Sequence, residues 1–293
     1  MQLPVDIKAV IDEATNIDEA RRTTLSVSVY LDDSAPGDVQ AHVRQAFASA
    51  SPHARVSLMY LDGRPFTPFS GDDMAVIVAG LNEQVGEYAA QVRAAGVPVM
   101  VVTTLPALVA DIAKAQGAPI PQGDLVFPKP PKAEPAVLPV PDAAAGGAEA
   151  VQALGAGSPN EPYALDGAAV GSLSERMGGW VIAACNDKRL AFALAFPFVR
   201  KPLSLEAVNS TALQNAGVGL LVIIPGADMP VMTLNQAKML LMIAAAYGEE
   251  LNMERVKELA ALVGGAFACR AVARQLVAFV PALGWAVKAA IGY

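Results

Sequence analysis

The chain has 293 residues, of which 54% are hydrophobic and 17% charged, so it is more apolar than a typical soluble protein and long enough for two domains. Its formal net charge of −7 argues against a nucleic-acid-binding protein, which needs clustered Lys and Arg. The N-terminal sequence MQLPVDIKAVIDEATN carries acids where a secretory signal has a basic flank, and it lacks a sufficient apolar core. We therefore expect a cytoplasmic protein, with the inner face of the cell membrane as a further place of action.

Residues 1–127 predict an α/β domain. Five segments have the β-branched, apolar composition of strands, and segments of helical period precede or separate them. The predicted strands are residues 25–31, 55–61, 74–81, 97–102 and 125–127. The predicted helices are residues 5–22, 36–49, 82–95 and 105–116. Because alternating strands and helices form right-handed parallel crossovers, we expect an open, mainly parallel sheet of the Rossmann-like or G-domain-like kind.

Acidic residues follow the first two predicted strands: Asp32 and Asp33 after the first, and Asp62 after the second. Ligands of open α/β sheets bind outside the carboxyl ends of the strands, so chemistry is expected there. None of the strand-to-helix turns has the glycines, lysine and hydroxyl of a phosphate-binding loop. Acids in the first turn would also repel a polyphosphate from the N-terminus of the following helix. A classical GTPase or ATPase mechanism is therefore not expected.

Two interpretations of these aspartates stay open. In the first, Asp32, Asp33 and Asp62 are solvated turn and cap residues, a role for which Asp is favoured. In the second, they form a weak divalent-cation site for Mg²⁺ at the sheet edge. The acids resemble those of response-regulator receiver domains, where they hold Mg²⁺ beside a phosphoacceptor aspartate. Residues 79–82 of this chain, AGLN, stand where that acceptor would be, so phosphotransfer is not expected.

The second half of the chain predicts a linker and an all-α helical domain. Residues 128–162 are dense in Pro, Ala and Gly without a sustained apolar period, which is typical of an extended linker. In residues 163–293, Gly and Pro punctuate the helices. The predicted helices are residues 168–184, 187–195, 204–219, 230–247, 252–263, 267–280 and a last one from residue 283. Residues 207–227 carry no charge over a length that could cross a bilayer, but polar residues crowd the first half of that run.

Three stretches of the helical domain carry a resemblance: PGADMPVMTLNQAKMLLMIAAAYG, ERVKELAALVGGAFACRAVARQL and VPALGWAVKAAIGY. They resemble the bacterial domain-of-unknown-function family numbered 697, which is found behind Era-type GTPase domains and in proteins described as inner-membrane. The resemblance implies a helical, often membrane-associated module, and it brings no catalytic residues. It also implies that the first domain is similar to a G domain whose phosphate loop is absent.

Four charged residues lie in the most apolar part of the helical domain: Asp228, Lys238, Arg270 and Arg274. Asp228 precedes Met-Pro and is well placed to cap the helix that begins there. Arg270 and Arg274 are four residues apart and so share a helix face. Because isolated charges in an apolar interior are costly, we hypothesise that Asp228 pairs with Arg270 or Arg274. Lys238 and its polar neighbours could instead face a partner or a lipid headgroup.

The sequence favours a non-enzymatic, adaptor-type or membrane-associated interaction protein with no catalytic residues and no cofactor. Its C-terminal helices are expected to bind a protein partner or a membrane surface, with homo-oligomerisation left open. The alternative is a magnesium-dependent or degenerate nucleotide-binding switch that uses the acidic edge of the α/β sheet.

Overall fold

The computed structural model describes residues 7–62, 66–129, 165–221 and 229–249. Their strands are β1 (Leu25–Asp32), β2 (Ala54–Leu61), β3 (Met74–Val78), β4 (Val99–Val102) and β5 (Leu125–Val126). Their α-helices are α1 (Ile7–Arg22), α2 (Gly37–Ala46), α3 (Val85–Ala94), α4 (Pro106–Ala115), α5 (Gly167–Ala184), α6 (Arg189–Ala195), α7 (Pro197–Leu221) and α8 (Met229–Ala246). Short 3-10 helices span Gln122–Asp124 and Asn186–Lys188.

Inter-residue contacts divide the chain into two compact units. One consists of Ser26–Ala48 and Arg55–Trp180 and is called the α/β unit. The other consists of Met1–Leu25, Ser49–Ala54 and Val181–Tyr293 and is called the helical unit. The predicted fold class, an open parallel α/β sheet followed by a helical region, is confirmed.

The α/β unit is built on a five-stranded parallel sheet in the order β2-β1-β3-β4-β5. The register of β1 and β3 runs from Val27 opposite Met74 to Leu31 opposite Val78. Every residue of β3 is buried, as expected of a continuous apolar strand in the middle of a parallel sheet. Helices α3 and α4 pack together on one face, where α3 contacts β3 and β4, and α2 packs against β3.

The connection between β2 and β3 differs from the other connections of this sheet. Parallel strands are usually joined through a helix, as β1 and β2 are by α2, and β3 and β4 by α3. In the described part of the β2–β3 connection, residues 66–73, there is no helix. Phe66 from this segment packs against the sheet-and-helix core instead.

The helical unit packs α1, α6 and α8 against one another, and α7 packs along α6 and α8. Its core includes Ile17 of α1, the ring pair Phe192 and Phe196 with centroids 6.0 Å apart, and Leu241 of α8. Helix α8 ends before Gly248, whose φ of +85° suits a glycine after a helix end. The helix predicted over residues 230–247 is therefore present, one residue earlier at each end.

The predicted start of a helix at Ser204 is wrong. Helix α7 begins at Pro197 and continues through Pro202 to Leu221. The Ser204 hydroxyl does not cap the helix but donates to the Arg200 carbonyl oxygen one turn back, at 2.8 Å. Val199 and Leu203, four residues apart on one helix face, are both fully buried. This continuous packing outweighs the local signals for a break.

Candidate functional site

The carboxylate of Asp32, at the end of β1, is buried and hydrogen-bonded to two neighbouring turns. Its Oδ2 accepts a hydrogen bond from the Gly80 backbone N–H at 2.8 Å and one from the Ser34 hydroxyl at 2.7 Å. Its Oδ1 accepts a third from the Ser34 N–H at 3.0 Å. These bonds, together called the Asp32 network, take about three of the roughly four acceptor positions that a carboxylate offers. Asp32 therefore ties the end of β1 to the end of β3.

Gly80 brings the two turns into close contact. A Cβ atom at residue 80 would lie 2.3 Å from the backbone carbonyl carbon and oxygen of Ser34, closer than any real Cβ contact. The Leu81 N–H also donates to the Ser34 hydroxyl oxygen at 2.8 Å. In a sheet of this strand order the expected ligand crevice lies between β1 and β3. Here the Asp32 network and Gly80 occupy the place where that crevice would open.

The other two aspartates of the predicted cation site are in a different environment. Asp33 and Asp62 are exposed, whereas Asp32 is 2% exposed. Within the described ranges, no three His, Cys, Asp or Glu side chains lie close enough together to hold a metal ion. The described structure therefore gives the predicted Mg²⁺ site no ligand cluster, and its one buried carboxylate is bonded to protein donors.

Next to this edge the α/β unit has an open cavity of about 440 Å³, which we call the aromatic pocket. It lies beside β1, β2 and α3. Its lining includes Tyr30, Tyr60, Asp62, Phe66, Thr67 and Tyr88. The Phe66 ring stands between those of Tyr30 and Tyr88, with centroids 4.8 Å from each, an arrangement typical of interacting aromatic rings. The volume of the aromatic pocket is in the range of small-molecule binding sites.

The Tyr30 phenol is the unusual polar group of the aromatic pocket. Tyr30 is 2% exposed, and among the described residues its hydroxyl has no partner with hydrogen-bond geometry. Burial raises the pKa of Tyr30 and the Asp72 carboxylate adds to the rise, while the nearby Ser28 hydroxyl and Phe69 backbone oppose it. Ser28 Oγ is close to Tyr30 but is itself buried without a hydrogen bond. Buried hydroxyls without a partner are costly, but this hydroxyl has no accessible surface and is therefore not presented to the open part of the pocket.

Tyr88, on the opposite side of Phe66, has a partner. Its hydroxyl donates to Gln84 Oε1 at 2.6 Å. Burial raises the pKa of Tyr88, and the carboxylates of Glu87, Asp32 and Asp62 raise it further. Both phenols are therefore neutral near neutral pH, because the pKa of each is raised.

Strand β2 forms one edge of the sheet and is mostly accessible to solvent. Three consecutive large apolar side chains are exposed: Leu58 by 51%, Met59 by 37% and Tyr60 by 55%. We call these three residues the β2 edge. Arg44 supports it by donating to the Tyr60 phenolic oxygen at 2.9 Å. At the start of the strand, Arg55 donates to Ser26 Oγ at 2.9 Å and lies 3.7 Å from Asp72.

In the helical unit, Lys238 is ion-paired with Glu13 of α1, with 3.7 Å between Nζ and Oε2. Both residues line a polar cavity of about 190 Å³, together with the ion pair of Arg189 and Glu206. The other three residues of the predicted charged group, Asp228, Arg270 and Arg274, lie outside the described residues, so their pairing stays a prediction.

The aromatic pocket was not predicted from the sequence. Tyr30, Phe66 and Tyr88 are far apart along the chain and lie in a strand, a connection and a helix. One local signal was present: Ser28 and Tyr30 are two residues apart on one strand and so place two hydroxyls on the same buried face. Ser26 and Asp32 share that face, so the alternation along β1 marks a polar face but does not identify a pocket.

Comparisons with protein-family models, curated proteins and solved structures find no match to this chain. The resemblance of the C-terminal helices to family 697, and of the first domain to a G domain, therefore stays an interpretation of the sequence. In the described part of the chain, no helix has both the length and the apolar character needed to span a bilayer.

Proposed function

We propose that the protein is a non-enzymatic interaction protein whose α/β unit binds an extended segment of a partner protein along β2. The observation that carries this proposal is the β2 edge, a row of exposed large apolar side chains on a strand at the edge of the sheet. Added strands bind through main-chain hydrogen bonds to an open edge and through side-chain contacts that give specificity.

The composition of β2 supports this mode. Proteins usually protect edge strands with lysine, proline, a bulge or a covering element, because an open edge invites pairing with other chains. The strand reads ARVSLMYL and contains neither lysine nor proline. Its one charge, Arg55, is turned to Ser26 of β1 and to Asp72 of the β2–β3 connection. The apolar half of the strand is left unprotected.

The partner segment is expected to be extended and to alternate apolar with polar residues, because successive side chains of an added strand point to opposite faces. An eight-residue strand spans roughly 27 Å, which suits a short linear peptide better than a whole domain interface. A second copy of this chain pairing through the same edge is the competing occupant.

The test uses phage-displayed random dodecapeptides selected on the full-length protein, followed by titration of one selected peptide. We expect alternating apolar residues in the selected peptides and amide shifts centred on β2. Leu58→Lys adds an edge-protecting charge and should weaken binding at least tenfold. Leu81→Lys makes the same change at an equally exposed position of the α/β unit outside β2, also 51% exposed, and should leave binding unchanged.

Equal binding by the wild type and Leu58→Lys would refute strand addition at β2. Sedimentation of the same proteins measures their oligomeric state, which distinguishes a partner peptide from a second copy of this chain at the β2 edge. A wild-type dimer that Leu58→Lys converts to a monomer would assign the edge to a second copy of the chain and overturn the partner proposal.

A second candidate surface, for a partner or a membrane surface, is on the helical unit. Leu205, Val208 and Leu213 of α7 and Val231 of α8 are exposed large apolar residues. Contiguous exposed apolar patches are typical of interaction sites, and the proposal is that these residues contribute to one. Flotation of the full-length protein with anionic and zwitterionic liposomes tests the membrane version, and flotation lost in Leu213→Lys would support it. Flotation equal for wild type and variant, or none with either lipid, would reject this surface.

A further inference from the structure

We propose that the polar cavity of the helical unit binds a small zwitterion of amino-acid type, whose ammonium group donates to Glu13 and whose carboxylate accepts from Lys238. This inference concerns a small-molecule site between helices and does not rest on the addition of a partner strand to β2. The class of ligand follows from the charges that line the cavity, from the hydrogen bonds that they leave open, and from its size.

The charged residues that line the cavity are balanced in sign. Two are acidic, Glu13 of α1 and Glu206 of α7, and two are basic, Arg189 of α6 and Lys238 of α8. A ligand with charge of one sign would be attracted by one of these sets and repelled by the other. A neutral molecule that carries both charges can place each of them beside its opposite, so the lining favours a zwitterion.

Glu13 and Lys238 form the pair that leaves the most hydrogen bonds open. Their Oε2 and Nζ atoms are 3.7 Å apart, which is an ion-pair distance but longer than a hydrogen bond. Neither side chain makes a hydrogen bond to another described residue. The two side chains are 17% and 40% exposed, so both remain accessible, and both line the cavity. A ligand that donates to the carboxylate and accepts from the ammonium group would fill both vacancies.

The second ion pair adds further capacity from α6 and α7. Arg189 Nη1 donates to Glu206 Oε2 at 3.2 Å. A guanidinium group has five N–H donors and a carboxylate has about four acceptor positions, so one shared bond leaves both groups able to bind a ligand as well. Hydrogen bonds between charged groups are stronger than those between neutral ones.

The size and apolar part of the cavity define the rest of the ligand. Its volume of about 190 Å³ is below the roughly 300–1,000 Å³ of sites for drug-sized molecules, which limits the ligand to a small one. Ala207, Met239 and Met242 supply apolar lining, and methionine adapts to the shape of what it contacts. An α-amino acid with a short apolar side chain, such as alanine or valine, combines both charges with a body of this kind.

The test titrates the full-length protein with alanine and valine and with analogues that lack one charge. Propionate and isovalerate are these amino acids without the ammonium group, and ethylamine and isobutylamine are the same molecules without the carboxylate. Amide shifts locate the binding, and calorimetry measures its affinity. We expect at least one of the amino acids to bind in the cavity. Its single-charge analogues should bind about tenfold more weakly or worse, because each loses a hydrogen bond between charged groups.

Glu13→Gln removes one charge with little change in shape. It should weaken amino-acid binding about tenfold and abolish the preference for the amino acid over the analogue without an ammonium group. Lys238→Met should likewise abolish the preference over the analogue without a carboxylate. A general loss of stability would not change these preferences selectively. Glu19→Gln removes an exposed carboxylate of α1 that does not line the cavity, and as the matched control it should leave affinity and preference unchanged.

Four outcomes would overturn the proposal. They are no saturable binding of either amino acid at millimolar concentration, a single-charge analogue binding as tightly as its amino acid, equal binding by Glu13→Gln and wild type, or shifts outside the cavity. The first would mean that the cavity holds only water. Because the analogue series uses the wild type alone, the proposal stays open to refutation even if a variant does not fold.

Discussion

The Asp32 network predicts a specific loss of stability when its carboxylate is removed. In the wild type, the Gly80 N–H donates to Asp32 Oδ2 at 2.8 Å. In Asp32→Ala, this buried donor has no acceptor. Leaving one buried donor unpaired costs about 1–3 kcal/mol. Ser34 is exposed, so its N–H and hydroxyl can bond to water instead and add little. We therefore expect the free energy of unfolding of the α/β unit to fall by about 2 kcal/mol.

Urea denaturation combined with hydrogen exchange of the Gly80 amide measures this effect. In the variant, the Gly80 amide should exchange faster than the amides of β3, since it would be freed locally as well as by global unfolding. The matched control is Asp33→Ala, because Asp33 is the exposed neighbour on the same turn. That control should stay within about 0.5 kcal/mol of the wild type.

The reasoning would be refuted by an Asp32→Ala variant as stable as the wild type, or by an equal loss in Asp33→Ala. The first result would mean that the three hydrogen bonds of Asp32 contribute nothing net to folding, and the second that the loss does not come specifically from these bonds. A loss of stability seen only when Mg²⁺ is present would instead assign Asp32 to the cation site that the sequence left open.

Three further predictions concern the same unit. Burial lowers the pKa of His42, so the unfolded state takes up a proton more readily and stability falls as pH drops below about 6.5. His42→Gln should reduce this fall in urea titrations from pH 7.5 to 5.5, and parallel pH profiles for wild type and His42→Gln would contradict the prediction. Gly80→Ala places a Cβ 2.3 Å from the Ser34 backbone and should lower the free energy of unfolding by about 3 kcal/mol or prevent folding. The Cβ of Gly37→Ala meets nothing within 4 Å, so this control should be nearly as stable as the wild type. Thermal unfolding measures both variants, and equal midpoints would disprove the close approach at Gly80. Mg²⁺ titration should give no selective amide shifts around Asp32, and saturable shifts there would restore the switch interpretation.

The sheet was predictable because its signals are local. The apolar run beginning at Met74 predicted a strand, and all of β3 is buried in the middle of the sheet. The start of α3 was less predictable: Asn82 Oδ1 accepts a hydrogen bond from the Gln84 N–H at 2.9 Å, which forms a turn and delays the helix to Val85. Side-chain bonds of this kind compete with the helix at its first turn.

The site was less predictable because it depends on strand order. The sequence placed Asp32 at the end of a strand, where it could be a turn residue or a cation ligand. Which of these it is depends on β3 lying beside β1, so that the Gly80 N–H reaches the Asp32 carboxylate. The grouping of Tyr30, Phe66 and Tyr88 likewise depends on long-range packing, which no local pattern encodes.

The closed crevice and the open pocket have related structural causes. The β2–β3 connection must cross β1, but the chain between Leu61 and Met74 is short and its described part has no helix. On the face of the sheet where Tyr30 lies, α3 packs on β3 and β4, so the area beside β1 and β2 is left to Phe66 and its segment. A helix there would have covered the apolar side of β2 that is now exposed. The β1–β3 crevice is closed by Asp32 and Gly80. Because the β2–β3 connection has no helix in its described part, the β2 side of the sheet is accessible instead. The chemistry expected at that surface is therefore recognition by aromatic and apolar contacts.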